Sequence, residues 1–160
     1  MEKLLNLKDH PGLSYAKNLD LYAIARTTPI NHKIMTWINT PIDIESYVGF
    51  VYIIKEKDTN MKYIGIKRFW KTIKYPPLKG NKNKRHIVRQ SGWVDYKTSS
   101  TIMQQKLTDN PNNYDKIIVR CCKTVAELRC AEALIQLTYW NEGKWKELYN
   151  QVINLRVRLQ

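Results

Sequence analysis

Apolar and polar residues follow two rhythms along this chain, and the change between them predicts its elements. Gly49-Phe-Val-Tyr-Ile-Ile54 is a run of β-branched and aromatic residues that predicts a strand. Lys55 to Asn60 is polar and turn-rich, and Lys62-Tyr-Ile-Gly-Ile66 predicts a second strand, paired with the first as a hairpin. Asp115-Lys-Ile-Ile-Val-Arg-Cys121 predicts a third. A helical rhythm takes over at Val125, where Val125, Leu128, Ala131, Ile135 and Thr138 share one face of a helix reaching about Tyr139. Thr124, with Glu127 three residues later, makes a capping box for its start. Ser99-Ser-Thr introduces a shorter helix over Ile102 to Leu107, with Thr101 and Gln104 at capping-box spacing. The Pro/Gly/Asn/Lys stretch over 74–84 predicts a loop.

Residues 1–48 read as an N-terminal extension, punctuated by Pro11, Pro29 and Pro41. Leu19, Leu21, Tyr22, Ile24 and Ala25 suggest one short helix within it. The expected class is therefore α/β (α+β). A small three-stranded, mainly antiparallel sheet flanked by helices occupies 49–160, behind a partly helical extension.

Length and composition fit this picture. A chain of 160 residues with 43% hydrophobic side chains can bury a core, which excludes general disorder. It holds no run of 18 apolar residues, so no membrane span is expected. The opening MEKLLNLKDHPG lacks the apolar core and cleavage site of a secretory signal. Three cysteines, two of them adjacent at Cys121 and Cys122, make no disulfide framework and no zinc spacing. Reduced thiols in a cytoplasmic protein are expected.

Charge says more about a partner. There are 27 Lys+Arg against 14 Asp+Glu, a formal charge of +13. Residues 1–48 are neutral, with five of each sign, whereas residues 55–97 hold thirteen basic and three acidic side chains. From Met61 to Gln90 there are ten Lys/Arg and no carboxylate. Such a surface repels itself and calls for a polyanion. Tyr63, Phe69, Trp70, Tyr75, Trp93 and Tyr96 lie among the charges, and nucleic-acid bases stack on rings of this kind, although Trp93 reads first as core. No amphipathic basic helix is present to favour a membrane surface instead.

Within the basic half, Tyr52 and Tyr63 sit mid-strand in the predicted hairpin, where both hydroxyls can leave the same side of the sheet. Gly65 allows close backbone approach, and Lys67 and Arg68 put cations beside the phenols. Glu132 lies at or beside the apolar stripe of the long helix. There it either packs its stem and reaches water or an Arg, or offers a carboxylate to a hard divalent ion. Phosphodiester hydrolysis uses such parts: a positioned hydroxyl or water, a cation for the developing charge, and a metal at the leaving oxygen.

Gly49-Phe-Val-Tyr52 followed by Tyr63-Ile-Gly65 resembles the paired signature of the GIY-YIG nuclease superfamily. Phe50-Val51-Tyr52 stands where the family has Gly-Ile-Tyr, and the second triplet is intact. The downstream order is similar to small bacteriophage proteins with this domain: Trp93-Val-Asp-Tyr96-Lys-Thr-Ser99-Ser100, a strand, Glu132 on a helix, then Tyr149-Asn150. The resemblance covers roughly residues 49–153. It implies a metal-dependent endonuclease that hydrolyses DNA, expected to be double-stranded, through in-line attack of water. Tyr52 and Tyr63 would be the signature tyrosines, Glu132 the metal ligand for Mg²⁺ or Mn²⁺, and Asn150 the late asparagine that positions active-site groups. The family's arginine commonly lies farther on, where this chain has Ile73. Arg68 is then the expected catalytic cation, with Lys67 competing and Arg85 or Arg89 able to return through the loop. Lys67, Lys79, Lys82, Lys84, Arg85 and Arg89 are expected to grip the DNA backbone with little base readout. Ser99 and Ser100 would cap a helix whose N-terminus can also take a phosphate. His86 reads as a surface residue. One active site cuts one strand, so a homodimer is one route to double-strand cleavage. The setting implied is a bacterial cytoplasm, if the protein is phage-encoded. The alternative is a non-catalytic nucleic-acid-binding phage accessory protein on a degenerate scaffold.

Overall fold

A computed structural model describes residues 36–80 and 82–153. Six strands and two helices appear, in the order β1 (Trp37–Ile38), β2 (Gly49–Glu56), β3 (Lys62–Arg68), β4 (Trp70–Tyr75), β5 (Arg85–Gln90), α1 (Thr101–Asp109), β6 (Tyr114–Cys122) and α2 (Val125–Asn141). The main sheet runs β1-β6-β2-β3, with β1 parallel to β6 and the other pairs antiparallel. β4 and β5 form a separate two-stranded sheet.

The α+β class is as expected, with two corrections. The main sheet has four strands, not three, because Trp37 and Ile38 add a short parallel strand to β6. A two-residue strand has no periodicity to read, and its anchor is tertiary. Trp37 is buried, and its indole N–H donates to the Trp93 carbonyl at 2.9 Å. The second correction is the β4–β5 hairpin, which turns the expected loop over 74–84 into the far end of a ribbon. The short helix suggested over 19–25 lies outside the described residues, as do residues 1–35 generally.

β2 is central and buried on both faces, which is why its sequence is a continuous apolar run. On one face Phe50, Tyr52 and Ile54 pack with Trp37, Phe69, Trp93, Met103, Leu107, Tyr114 and Ile118. On the other, Val51, Ile53 and Ile64 pack with Cys122, Leu128 and Ala131, so α2 covers this second face. The helix caps are local. Thr124 Oγ1 accepts from the Glu127 N–H at 3.0 Å to start α2. Ser100, rather than Thr101, caps α1 by accepting from the Met103 N–H, while Gln104 turns back to the Thr98 carbonyl. Among the described residues no helix is long and apolar enough to cross a membrane.

Phe69 is the joint between β3 and the ribbon. Its ring is fully buried, 4.9 Å from Phe50 and 5.2 Å from Trp93 between centroids. The backbone there is pinned by Phe69 N–H to the Val48 carbonyl and Ser91 N–H to the Phe69 carbonyl. Trp70 adds an indole bond to the Tyr47 carbonyl.

Candidate active site

The hairpin register places Tyr63 opposite Ile54, Gly65 opposite Tyr52 and Lys67 opposite Phe50. Side chains directly opposite share a face, so Tyr52, Tyr63 and Lys67 all belong to the face of Phe50 and Ile54. The Tyr52 and Tyr63 rings lie 6.3 Å apart. Gly65 is required here, because a Cβ on it would meet the Tyr52 hydroxyl oxygen at 2.6 Å and Cζ at 2.7 Å. The Tyr52 ring thus lies across the bare backbone of the second triplet.

The two tyrosines differ sharply in environment. Tyr52 is fully buried, and its hydroxyl donates to Thr98 Oγ1 at 3.2 Å. Burial pushes that phenol well above its ordinary pKa, so it is held neutral. Tyr63 is half-buried, with its hydroxyl 3.3 Å from Ser99 Oγ at the mouth of the site. Lys67 Nζ sits 4.0 Å above the Tyr96 ring, and that ring packs edge-on against Tyr52. Burial, with the like charge of Lys71, lowers the Lys67 ammonium.

Arg68 falls on the opposite face. It pairs with Gly49, where a Cβ would meet Leu128 of α2 at 3.1 Å, and its side chain is exposed. Glu132 also belongs to that side, on the helix that covers the second face. It is half-buried, and among the described residues no hydrogen bond or ion pair reaches its carboxylate. Burial raises its pKa, against the lowering charge of Arg129. Asn150 lies along the outer edge of β3, following Leu148 and Tyr149, which bridge to Lys62 there. Its Oδ1 accepts from the Ile64 N–H and its Nδ2 donates to the Ile64 carbonyl, each at 2.8 Å. It therefore fixes the backbone next to Tyr63. Ser100 caps α1, and Lys79, Lys82, Lys84, Arg85 and Arg89 are all exposed on the ribbon. The structure thus brings together Tyr52, Tyr63, Lys67 and Ser99, with Asn150 behind them, and sets Arg68 and Glu132 on the other side of the sheet.

A family model described as "Putative endonuclease segE, GIY-YIG domain" matches residues 34–153. The chain belongs to the GIY-YIG family. No curated protein and no solved structure matches it. The matched region of this GIY-YIG domain begins ahead of Gly49 and takes in β1, in keeping with the burial of Trp37.

Two groups near the GIY-YIG site escaped the sequence. Glu56, at the end of β2, is a buried carboxylate that accepts from the Tyr114, Tyr149 and Thr59 hydroxyls, with Lys106 Nζ at 3.6 Å. Burial alone would raise it, but the three hydroxyls and the ammonium hold it down to about 2. Lys116 is buried on the tyrosine face, donating to the Tyr96 carbonyl with Nζ 3.9 Å over Trp37, and desolvation lowers it to about 8. Both partner sets lie far off in sequence, so no spacing announces them. The polar residue ending an otherwise apolar strand was the one available signal at Glu56.

Proposed function

We propose that this GIY-YIG domain is a metal-dependent endonuclease that hydrolyses DNA phosphodiester bonds by in-line attack of water. The observation that carries the reading is the open cluster of Tyr63, Ser99 and Lys67 beside a carboxylate-free basic ribbon. Tyr52, buried and neutral, acts as a positioning residue: its ring lies on Gly65 and sets the Tyr63 strand. Tyr63 meets the scissile phosphate and aligns the water, with Ser99 holding its hydroxyl. Lys67 shares the face of Tyr63, so we assign it the stabilisation of developing phosphorane charge and leave Arg68, first in line from sequence, a peripheral phosphate contact. Asn150 keeps the β3 edge in register.

Glu132 fits a divalent ion chemically. It is a half-buried carboxylate that no ion pair reaches among the described residues, and Mg²⁺ takes one or two carboxylates, several waters and substrate oxygens rather than a full protein cage. That agrees with the lack, among the described residues, of any cluster of three or more His, Cys, Asp or Glu. Bound there, Mg²⁺ or Mn²⁺ would supply positive charge to the phosphate and leaving oxygen. β3 is the outer strand, lined by residues 148–150 at Lys62 and Ile64, and we place the phosphate at its far end, where Lys67 and Arg68 flank it from opposite faces. The duplex is the substrate we favour, with two copies or two successive events for double-strand cleavage, in a phage-infected bacterial cytoplasm.

Supercoiled plasmid in Mg²⁺ tests this. Nicking should vanish with EDTA and with Glu132→Ala, and fall about 100-fold or more in Lys67→Ala but only a few-fold in Arg68→Ala, as loss of a charge-stabilising donor predicts. The placement of α2 across the sheet from Tyr63 favours one second reading, a DNA-binding module without catalysis. Plasmid left intact in Mg²⁺ and Mn²⁺ but shifted on a gel at low salt would establish that one instead.

A further inference from the structure

The β4–β5 ribbon has a use beyond bulk charge. Its register pairs Lys71 with Arg89, Ile73 with Ile87 and Tyr75 with Arg85 on one face, and Thr72 with Val88 and Lys74 with His86 on the other. Like charges directly opposite are destabilising, and a lone two-stranded hairpin is marginal in water. Yet Lys71 and Arg89 face each other, and among the described residues no ion pair reaches either of them. Residues 59–94 contain no carboxylate at all. Such a pairing is relieved by an anion lying across both strands.

Which face meets the anion follows from the joint at Phe69. Lys67 and Phe69 both belong to the Tyr52 face, and Lys71 follows two residues beyond Phe69 at the root of the ribbon. The charge of Lys71 is close enough to act on Lys67. The Lys71/Arg89 face therefore continues the site surface outward from Tyr63. Its shape selects the groove. Two strands about 4.8 Å apart, with side chains, fit a major groove about 12 Å wide and not a minor groove of about 6 Å. Ile73 and Ile87 offer apolar contact to thymine methyls between the two cationic rows.

We propose that the β4–β5 ribbon enters the major groove of duplex DNA with its Lys71/Arg89, Ile73/Ile87 and Tyr75/Arg85 face turned to the duplex. The ribbon thereby holds the scissile strand over Tyr63 and Lys67. The proposal deepens the nuclease reading and rests on its substrate class. Arg85, whose guanidinium lies 5.9 Å over the Tyr75 ring, marks the far row, and the exposed Val88 row faces away.

The test is equilibrium binding of the full-length protein to a short mixed-sequence DNA duplex in EDTA, where nothing is cut. At about 0.1 M salt, Lys71→Ala/Arg89→Ala should weaken binding on the order of 50-fold and reduce the log–log salt slope by about 2, since each phosphate contact is worth about 0.9 of a slope unit. Arg85→Ala alone should cost about 8-fold by the same arithmetic. Thr72→Ala/Val88→Ala, on the opposite face, should stay within about 2-fold of the parent. Methyl green, which occupies the major groove, should displace the protein, and netropsin, a minor-groove ligand, should not. Equal losses from both faces, displacement by netropsin alone, or equally tight binding to an RNA duplex, whose major groove is too narrow for a ribbon, would overturn the proposal. Melting temperatures of the variants guard against misfolding. Plasmid left uncut in Mg²⁺ would sink the nuclease reading and leave these binding results standing. Unchanged binding by Lys71→Ala/Arg89→Ala would sink the ribbon and leave cleavage standing.

Discussion

Two antiparallel hairpins follow one another in this chain, with the same backbone pairing and opposite physics. β2–β3 is packed on both faces and neutral through its middle, and its buried side chains hold it in place. β4–β5 exposes Lys71, Thr72, Lys74, Val88 and Arg89 and is held by its register and its root. Each has a cross-strand pair of like charges, but they are treated differently. In the first hairpin Lys62, opposite Lys55, is answered by Glu147 at 2.8 Å. In the second, Lys71 opposite Arg89 has no such answer among the described residues. The lesson is a division of labour: burial makes the first hairpin a rigid mount for Tyr52 and Tyr63, and unbalanced charge makes the second a surface for a partner.

The joint between them is where the largest effect is expected. Phe69 is wholly enclosed by Phe50 and Trp93, so Phe69→Ala should cost roughly 3–5 kcal/mol in urea unfolding. Ribbon amides should lose hydrogen-exchange protection before those of β2 do. If Phe69→Ala leaves the unfolding free energy within about 0.5 kcal/mol of the parent, the ribbon is not anchored through the core.

A smaller effect separates the packed hairpin by pH. Glu56 is held at about 2 in the fold against an ordinary 4.5, so it stabilises the native state above about 4.5. That contribution, on the order of 2–3 kcal/mol, is lost as the pH falls from there toward about 2. Glu56→Gln should flatten this acid limb, so the parent's excess stability at pH 7 narrows at pH 3. An acid limb of the same steepness in both proteins would show that the three hydroxyls do not hold the charge.

The same contrast explains what could be read from the sequence. β2, β3, β6, α1 and α2 were legible because each buries a face, and burial writes an apolar pattern into the chain. Trp-Lys-Thr-Ile-Lys-Tyr75 and Arg-His-Ile-Val-Arg-Gln90 carry no such pattern, since beyond Trp70 at its root the ribbon is exposed or only half-buried on both faces. That Tyr52 and Tyr63 share a face was legible from strand periodicity, whereas their reading as a pair rested on the family resemblance. Their setting was not legible: Thr98 and Ser99 reach the two hydroxyls from 46 and 36 residues away. Periodicity also separates Lys67 from Arg68 onto opposite faces, but only once the register with Phe50 and Gly49 is known. Glu132 looked ambiguous on the helical wheel, and the structure explains why. The stripe it interrupts packs on the face away from the tyrosines.

The smallest expected effect is the sharpest test of the comparison. Lys71→Glu replaces a like-charged cross-strand pair with an opposite one facing Arg89, which should stabilise the ribbon by roughly 0.5–1 kcal/mol. An exposed ribbon is expected to open locally, ahead of the core, so global unfolding should barely register the change. Exchange of the Thr72 and Val88 amides should slow about 2- to 5-fold at low salt, while amides of β2 stay as they are. The gain should fade at about 1 M salt, where exposed charges are screened within about 3 Å. The same substitution should weaken duplex binding, since it places a carboxylate where a phosphate would lie. A ribbon made stiffer and a worse DNA ligand by one change would show that its like-charge pairing is kept for the partner rather than for the fold. Faster exchange in Lys71→Glu would mean that Lys71 and Arg89 do not repel across the strands, and their pairing would call for no anion.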